Sequence, residues 1–343
     1  MDPSVLSREA DTEAASWQET YIKGYRLMVL ARVLDDKFAG LYRGGKIHGG
    51  VFLGRGQEAL SVSAGLSLHR TDVFAPLIRD QAGRLAFGES VLEAVRTYLG
   101  SALGPMRGRD GNVHRGRPRD GLLPMISHLG AMISVVSGVL FARRLKGISG
   151  SVGVASIGEG ATSTGSFHEA LNQAAVERLP LVLVIANNQY AYSTFTDRQF
   201  ACRALVDKAV GYGVAAWTVD GTDLADCLKV VGQAVRQARA GRGPQLVEAR
   251  LLRLCGHGEH DDASYVDTKL RASTVGRDCL KLAEEFMVKQ AWADQPLIEA
   301  WRGEAVQKVD QAVAQVQHEL GPDPYKEDWC ALSSKHLSEP LQP

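Results

Sequence analysis

Residues Val152–Thr194 read VGVASIGEGATSTGSFHEALNQAAVERLPLVLVIANNQYAYST. Val152 to Ile157 is a short apolar run of the kind that forms a buried strand. Gly158, Glu159 and Gly160 follow, a carboxylate between two glycines. Thr162, Ser163 and Thr164 offer hydroxyls for a helix N-cap. Phe167, Ala170, Leu171, Ala174 and Ala175 then fall on one helical face. Pro180 stops that helix, and Leu181 to Ala186 forms a second apolar run that ends at Asn187 and Asn188. A strand–loop–helix–strand unit of this kind predicts two parallel strands in a buried α/β sheet.

In such a unit Glu159 lies just past the carboxyl end of the first strand and Asn188 at the carboxyl end of the second. If the strands are neighbours, about 4.8 Å apart, both side chains can reach one ion. Ligands of open α/β sheets bind at these strand ends. A carboxylate, an amide oxygen and a backbone carbonyl make an all-oxygen half-shell that suits Mg²⁺, with phosphate oxygens and water completing it. A helix N-terminus beside Gly160 would add amide donors for a phosphate. A dinucleotide fingerprint fits poorly, since its third glycine would fall on Ser163, and no G-x-x-x-x-G-K-[ST] loop occurs.

Composition narrows the classes. The 343 residues are 45% hydrophobic and 23% charged, as in ordinary globular proteins. Lys+Arg and Asp+Glu both number 39, so net charge gives no case for nucleic-acid or anionic-membrane binding. The arginine-rich segment GPMRGRDGNVHRGRPRDG (104–121) has no aromatic residues for base stacking. No apolar run reaches transmembrane length. Cys202, Cys227, Cys255, Cys279 and Cys330 show no C-x-x-C spacing, which suggests reduced thiols and a cytoplasmic location. The acidic first twenty residues read as neither a signal nor a transit peptide.

Gly160 and Asn187 are separated by 26 residues, and this pair resembles the thiamine-diphosphate motif, G-D-G followed at about that distance by N-N. The flanks GEGATSTGSFHEALNQAA and ANNQYAYST resemble the alpha subunit of the decarboxylating component of 2-oxo acid dehydrogenases, which include the pyruvate, branched-chain and acetoin enzymes. The likeness extends over roughly residues 20–330, through GQEAL (56–60), VDGTDL (219–224) and GPQLVEARLLRLCGHG (243–258). It implies a doubly wound parallel sheet with helices on both faces, the thiamine-diphosphate-binding fold. Residues 16–320 would form that diphosphate-binding domain, between a flexible arm (1–15) and a C-terminal extension (321–343).

The resemblance also implies roles for individual residues. Gly158, Glu159, Gly160 and Ala161 would bind the cofactor, with Glu159, Asn188 and the Tyr190 carbonyl holding Mg²⁺. Arg79 would bind the diphosphate, and the backbone around Ser127 and Leu129 the aminopyrimidine. His257 stands at the family's active-site histidine; independently, a histidine after a strand end can donate or accept a proton near neutral pH. His128 departs from the family and is a candidate to face substrate, or a hydrogen-bonded structural histidine. Leu77 and Ile78 replace aromatic or polar residues, Gln81 replaces a histidine found in some members, and Asn112 and His114 close a glycine-rich loop. Gly258 stands where some eukaryotic relatives carry a regulatory serine. Glu159 replaces the commoner aspartate, as in branched-chain members. A metal cluster of His257, His260, Asp261 and Asp262 is the competing reading of that loop, although its spacings fix no tetrahedral set.

The function implied is thiamine-diphosphate- and Mg²⁺-dependent oxidative decarboxylation of a 2-oxo acid with acyl transfer to a lipoyl group. The partners implied are a beta subunit carrying the pyrimidine-binding domain and a lipoyl acyltransferase, in a heterotetramer of two alpha and two beta chains. An acetoin dehydrogenase alpha subunit, a nicotinamide-linked oxidoreductase and a non-catalytic partner-binding protein are the alternatives. Helices are further expected over Trp17–Leu41, Leu224–Ala240 and Pro296–Leu320, the last with a stripe of Val306, Val309, Val313, Val316 and Leu320.

Overall fold

Seven strands form among the described residues: β1 (Val73–Ala75), β2 (Gly153–Gly158), β3 (Leu181–Asn187), β4 (Tyr190–Ala191), β5 (Thr194–Phe195), β6 (Ala215–Asp220) and β7 (Gln245–Arg250). The structure, a computed structural model, describes residues 3–110, 113–323, 325 and 326, with the helical backbone alone for 3–15. Asn112, Cys330 and most of the expected C-terminal extension lie outside the described residues. Five strands make one parallel sheet in the order β1-β2-β3-β7-β6, and β4 and β5 form a short antiparallel hairpin.

The central stretch forms the expected unit. Gly153 to Gly158 pair in register with Leu181 to Ala186, so β2 and β3 end side by side. The chain then skips to β6 at the far edge and returns to β7, which pairs with β3. Strand order therefore reverses between β3 and β7, and a crevice opens at such a switch point.

Eleven helices surround the sheet among the described residues: α1 (Pro3–Arg43), α2 (Glu58–Leu66), α3 (Gln81–Phe87), α4 (Val91–Tyr98), α5 (Ala131–Leu145), α6 (Gly165–Val176), α7 (Asp207–Val210), α8 (Leu224–Arg239), α9 (Thr268–Arg271), α10 (Cys279–Lys289) and α11 (Gln295–Val316). Alternation along the strands sorts the core into two faces. Val182, Val184 and Ala186 of β3 pack with α1, α2, α4, α8, α10 and α11. Leu181, Leu183 and Ile185 point the other way, onto α5 and α6. Period-2 burial on both faces of one strand is what a helix-sandwiched parallel sheet requires. Phe167 and Leu171, at 0% exposure, anchor α6; truncating Phe167 to alanine would cost about 3–5 kcal/mol.

Several local expectations are revised. Helix α1 begins at Pro3 rather than Trp17. The motif after β2 forms a 3₁₀ turn, Glu159–Ser163, before α6 starts at Gly165. The three hydroxyls do not cap α6: Thr162 donates to the Glu159 carbonyl, Ser163 to the Gln199 carbonyl and Thr164 to the Ala161 carbonyl. Thr162 and Thr164 tighten the turn instead, and Ser163 ties it to the segment at Gln199. On α11, Val309, Val313 and Val316 are buried, but Val306 is 42% and Leu320 83% exposed. The helix ends at Val316, which takes Leu320 off the stripe.

Candidate active site

Glu159 and Asn188 emerge from adjacent strand ends and meet. The Asn188 N–H, which also donates to the Ala186 carbonyl, lies 3.2 Å from Glu159 Oε2. Glu159 Oε1 accepts from Gln199 Nε2, also at 3.2 Å. Both residues are buried, at 1% and 5% exposure. Burial pushes the Glu159 carboxyl above its ordinary range, and hydrogen bonds from its own N–H, Gln199 and Asn188 offset this only in part. Among the described residues no cationic side chain forms an ion pair with it.

The backbone turns sharply here. Gln189 adopts φ of 77°, a left-handed conformation that costs a non-glycine residue about 1–2 kcal/mol. That turn starts the β4–β5 hairpin, which folds back over the motif. Gly160 is where the two surfaces meet: a Cβ there would lie 2.7 Å from Ala191 Cβ. Gly158 has open space where a side chain would be and, with Ala161, lines the cleft. The Tyr190 carbonyl accepts from Arg253 Nη1 at 3.2 Å, and Asn188 Oδ1 lies 3.4 Å from the Tyr190 N–H.

A second group gathers past β7. His257 packs against Phe52 and Tyr192, with ring centroids 5.5 and 4.4 Å away. Arg79, 4% exposed, donates to the carbonyls of Leu53 at 2.9 Å and His257 at 2.6 Å. Its Nη2 lies 3.4 Å from His257 Nδ1. Burial pulls the guanidinium down to about 10. Desolvation and the neighbouring Arg79 and Arg253 charges lower His257 to about 4, so it is neutral at physiological pH. Asp261 fixes this loop through its hydrogen bonds to the His257 N–H and the Tyr265 hydroxyl. No cluster of three or more His, Cys, Asp or Glu side chains able to hold a metal occurs among the described residues. The His257–His260–Asp261–Asp262 cluster is therefore not assembled.

Between the groups runs a cleft of about 240 Å³ lined by Phe52, Leu77, Ile78, Met125, His128 and His257, with Ser127, Leu129 and Ile157. A larger groove of about 470 Å³ between α1 and α11 contains none of the strand-end residues, so position rather than size selects the cleft. Ser127, His128 and Leu129 are exposed at its rim. Ser127 Oγ lies 3.0 Å from His114 Nε2, whose Nδ1 lies 2.9 Å from Asp110 Oδ2. Gln81 does not join the cleft; it is buried between Arg115 and Glu89.

The structure thus brings Glu159 and Asn188 together at neighbouring strand ends and Arg79 and His257 together past β7. A profile of the family described as Dehydrogenase E1 component matches residues 25–325. The chain belongs to that family. Its similar relatives include the alpha subunit of acetoin:2,6-dichlorophenolindophenol oxidoreductase from Cupriavidus necator, 31% identical over 312 residues, covering 91% of this chain and 93% of the relative. The alpha subunit of 2-oxoisovalerate dehydrogenase from Bacillus subtilis is 36% identical over 246 residues, 70% of this chain and 73% of the relative. The alpha subunit of pyruvate dehydrogenase E1 component from Rhizobium meliloti is 32% identical over 248 residues, 72% and 71% of the two chains.

Family membership implies thiamine diphosphate, and the residues present fit a Mg²⁺-diphosphate group. Glu159 is a buried carboxylate with no ion-pair partner among the described residues, and Asn188, whose N–H reaches that carboxylate, carries a hard oxygen in Oδ1. Gln199 Oε1, beside Gly160, is buried without a hydrogen-bond partner among the described residues. Gln199, Arg253, Phe52 and the Asp110–His114–Ser127 chain escaped the sequence reading. Arg253 alone carried a signal, as a basic residue just past a strand run.

Proposed function

We propose that the chain is the alpha subunit of a 2-oxo acid dehydrogenase E1 component, decarboxylating a 2-oxo acid and passing the acyl group to a lipoyl carrier with a beta subunit. The observation that carries this reading is the meeting of Glu159 and Asn188 at the β2 and β3 ends, next to Gly158 and Ala161, which line one cleft with His257. Glu159, Asn188 and the Tyr190 carbonyl would hold Mg²⁺, and Arg79 would compensate diphosphate charge. For the Tyr190 carbonyl this role is shared with Arg253, which already donates to it. Thiamine diphosphate, when bound, supplies the electron sink that decarboxylation of a 2-oxo acid needs.

The chain's own residues do the rest. The 3₁₀ turn and the hairpin fix the ligand oxygens before anything binds. Phe52, Leu77, Ile78 and Met125 exclude water from the cleft and favour a substrate with an apolar acyl group. His257, held neutral, can donate a hydrogen bond to a substrate carboxylate or oxygen, or accept a proton, without carrying charge. His128, at the rim, is placed to meet substrate as it enters.

The cleft volume lies below the roughly 300–1,000 Å³ of complete ligand pockets, which supports a second wall from a beta subunit. A heterotetramer of two alpha and two beta chains, bound to a lipoyl acyltransferase, fits that reading. Unpaired Cys202, Cys227, Cys255 and Cys279 suit a cytoplasmic location. No helix among the described residues is long and apolar enough to cross a membrane.

The test is turnover by the co-expressed alpha and beta chains, with thiamine diphosphate, Mg²⁺ and an artificial electron acceptor. Branched-chain 2-oxo acids should give a higher kcat/KM than pyruvate. Turnover of acetoin alone would move the protein to the second reading, which the Cupriavidus necator relative favours. No turnover of any of the three would reject the proposal.

A further inference from the structure

Glu159 is one methylene longer than the aspartate common at this motif position, and a longer side chain has one more torsion to fix. Gln199 fixes it. Its Nε2 donates to Glu159 Oε1 at 3.2 Å and to the Thr194 carbonyl at 2.8 Å. Both partners are acceptors, so the amide can point only one way, with nitrogen toward them. Its Oε1 is left buried beside Gly160, 3.5 Å from where a Cβ there would lie, with no partner among the described residues. Buried unpaired acceptors are costly and uncommon in native structures, and one beside a candidate ligand set points to a role there.

Gln199 is itself clamped. Ser163 Oγ donates to its carbonyl at 2.6 Å, and its N–H donates to the Thr196 carbonyl at 3.1 Å. Ser163 ends the 3₁₀ turn that starts at Glu159, so the residue and the carboxylate it orients are tied at both ends. The Asn188 N–H directs the other carboxylate oxygen, Oε2. Three N–H groups, from Gln199, Asn188 and Glu159 itself, thus reach the carboxylate, whose two oxygens offer about four lone-pair sites and so keep one for a cation.

We propose that Gln199 is a positioning residue for the divalent cation: it orients Glu159 as a ligand and presents its own Oε1 to water bound on that ion. This rests on the metal-diphosphate reading of the site. Partners that orient metal ligands typically contribute 10–100-fold to metal affinity, so Gln199→Leu should weaken the cation by about tenfold or more.

The measurement is electron paramagnetic resonance of Mn²⁺ titrated into the alpha–beta complex with thiamine diphosphate present. In the Glu159→Asp background the carboxylate withdraws from Gln199, so adding Gln199→Leu should change the Mn²⁺ Kd less than twofold. Equal Kd values for wild type and Gln199→Leu, or the same loss in both backgrounds, would overturn the proposal. Should Gln199→Leu not fold, Gln199→Met, of similar volume, is read the same way. If wild type binds no Mn²⁺ and Glu159→Ala is silent, the site reading fails; if wild type binds and Glu159→Ala does not, only the role of Gln199 is in question.

Discussion

The two rims of the cleft are built differently. On one, Gly158 and Ala161 line the cleft, and the adjoining Glu159 and its partner Asn188 are almost fully buried and hydrogen-bonded within this chain. On the other, Leu129 is 59% exposed, Val135 of the adjoining α5 is 41% exposed, and Ser127 Oγ meets His114, which in turn meets Asp110. Burial without a counter-charge is unfavourable for a carboxylate unless a cation arrives. Exposed leucine and valine side chains gain from burial against another surface. Under the proposed function, the first rim would hold the cation and the second would be covered by a partner chain.

The comparison breaks most readily at Glu159. Glu159→Ala should weaken Mg²⁺-dependent thiamine diphosphate binding by about 100-fold or more, since ligands outweigh the 10–100-fold contributed by their supporting partners. Calorimetry with and without Mg²⁺ reads this, and unchanged affinity would remove Glu159 from the ligand set.

His257, on the loop past β7 that also lines the cleft, gives a sharper test of the site's electrostatics. Its folded-state value, about 4, lies below the ordinary 6.5, so between these pH values the unfolded chain binds a proton that the folded chain refuses. Stability from His257 is therefore full above 6.5 and is lost as pH falls toward 4. Asp35, buried and pushed up to about 7, acts in the opposite sense, so a bulk unfolding curve would blur the two. Imidazole NMR isolates the site: a His257 midpoint near 4 is expected, moving upward when diphosphate offsets the Arg79 and Arg253 charges. A midpoint at 6.5 in the free chain would show that those charges do not act on it.

At the second rim, Val135→Asp should weaken alpha–beta assembly by about tenfold, the loss expected of a buried interface contact, and leave the melting temperature of the alpha chain nearly unchanged. Sedimentation of the mixed chains measures it, and unaltered assembly would place the interface elsewhere. The smallest effect belongs to His114→Ala, which frees Ser127 and removes two hydrogen bonds, about 1–2 kcal/mol of stability by denaturant unfolding. No change would mean that the Asp110–His114–Ser127 chain is not formed in solution.

The same contrast explains what the sequence could disclose. Strand–helix–strand order was legible because apolar periodicity is local and strong: β2, α6 and β3 lie close to where the runs of Val152–Ala186 put them. Glu159 and Asn188 were legible because strand ends fix position along the sheet. Gln199 was not, since Glu159 lies 40 residues away in the 3₁₀ turn and its other partner, Thr194, lies in a hairpin whose two strands are two residues each. The failed N-cap on α6 has a similar origin, because a 3₁₀ turn and an α-helix start share one hydroxyl signature. Arg79 was found by resemblance, but its two carbonyl acceptors depend on how the 51–56 and 255–258 loops pack together.

The central claim is that one divalent cation sits between Glu159 and Asn188. Anomalous diffraction at the manganese edge, from crystals of the alpha–beta complex grown with Mn²⁺ and thiamine diphosphate, tests it most directly. The account predicts one strong peak within coordination distance of a Glu159 carboxylate oxygen and Asn188 Oδ1. A peak elsewhere in the chain, with Glu159 and Asn188 unligated, would contradict it.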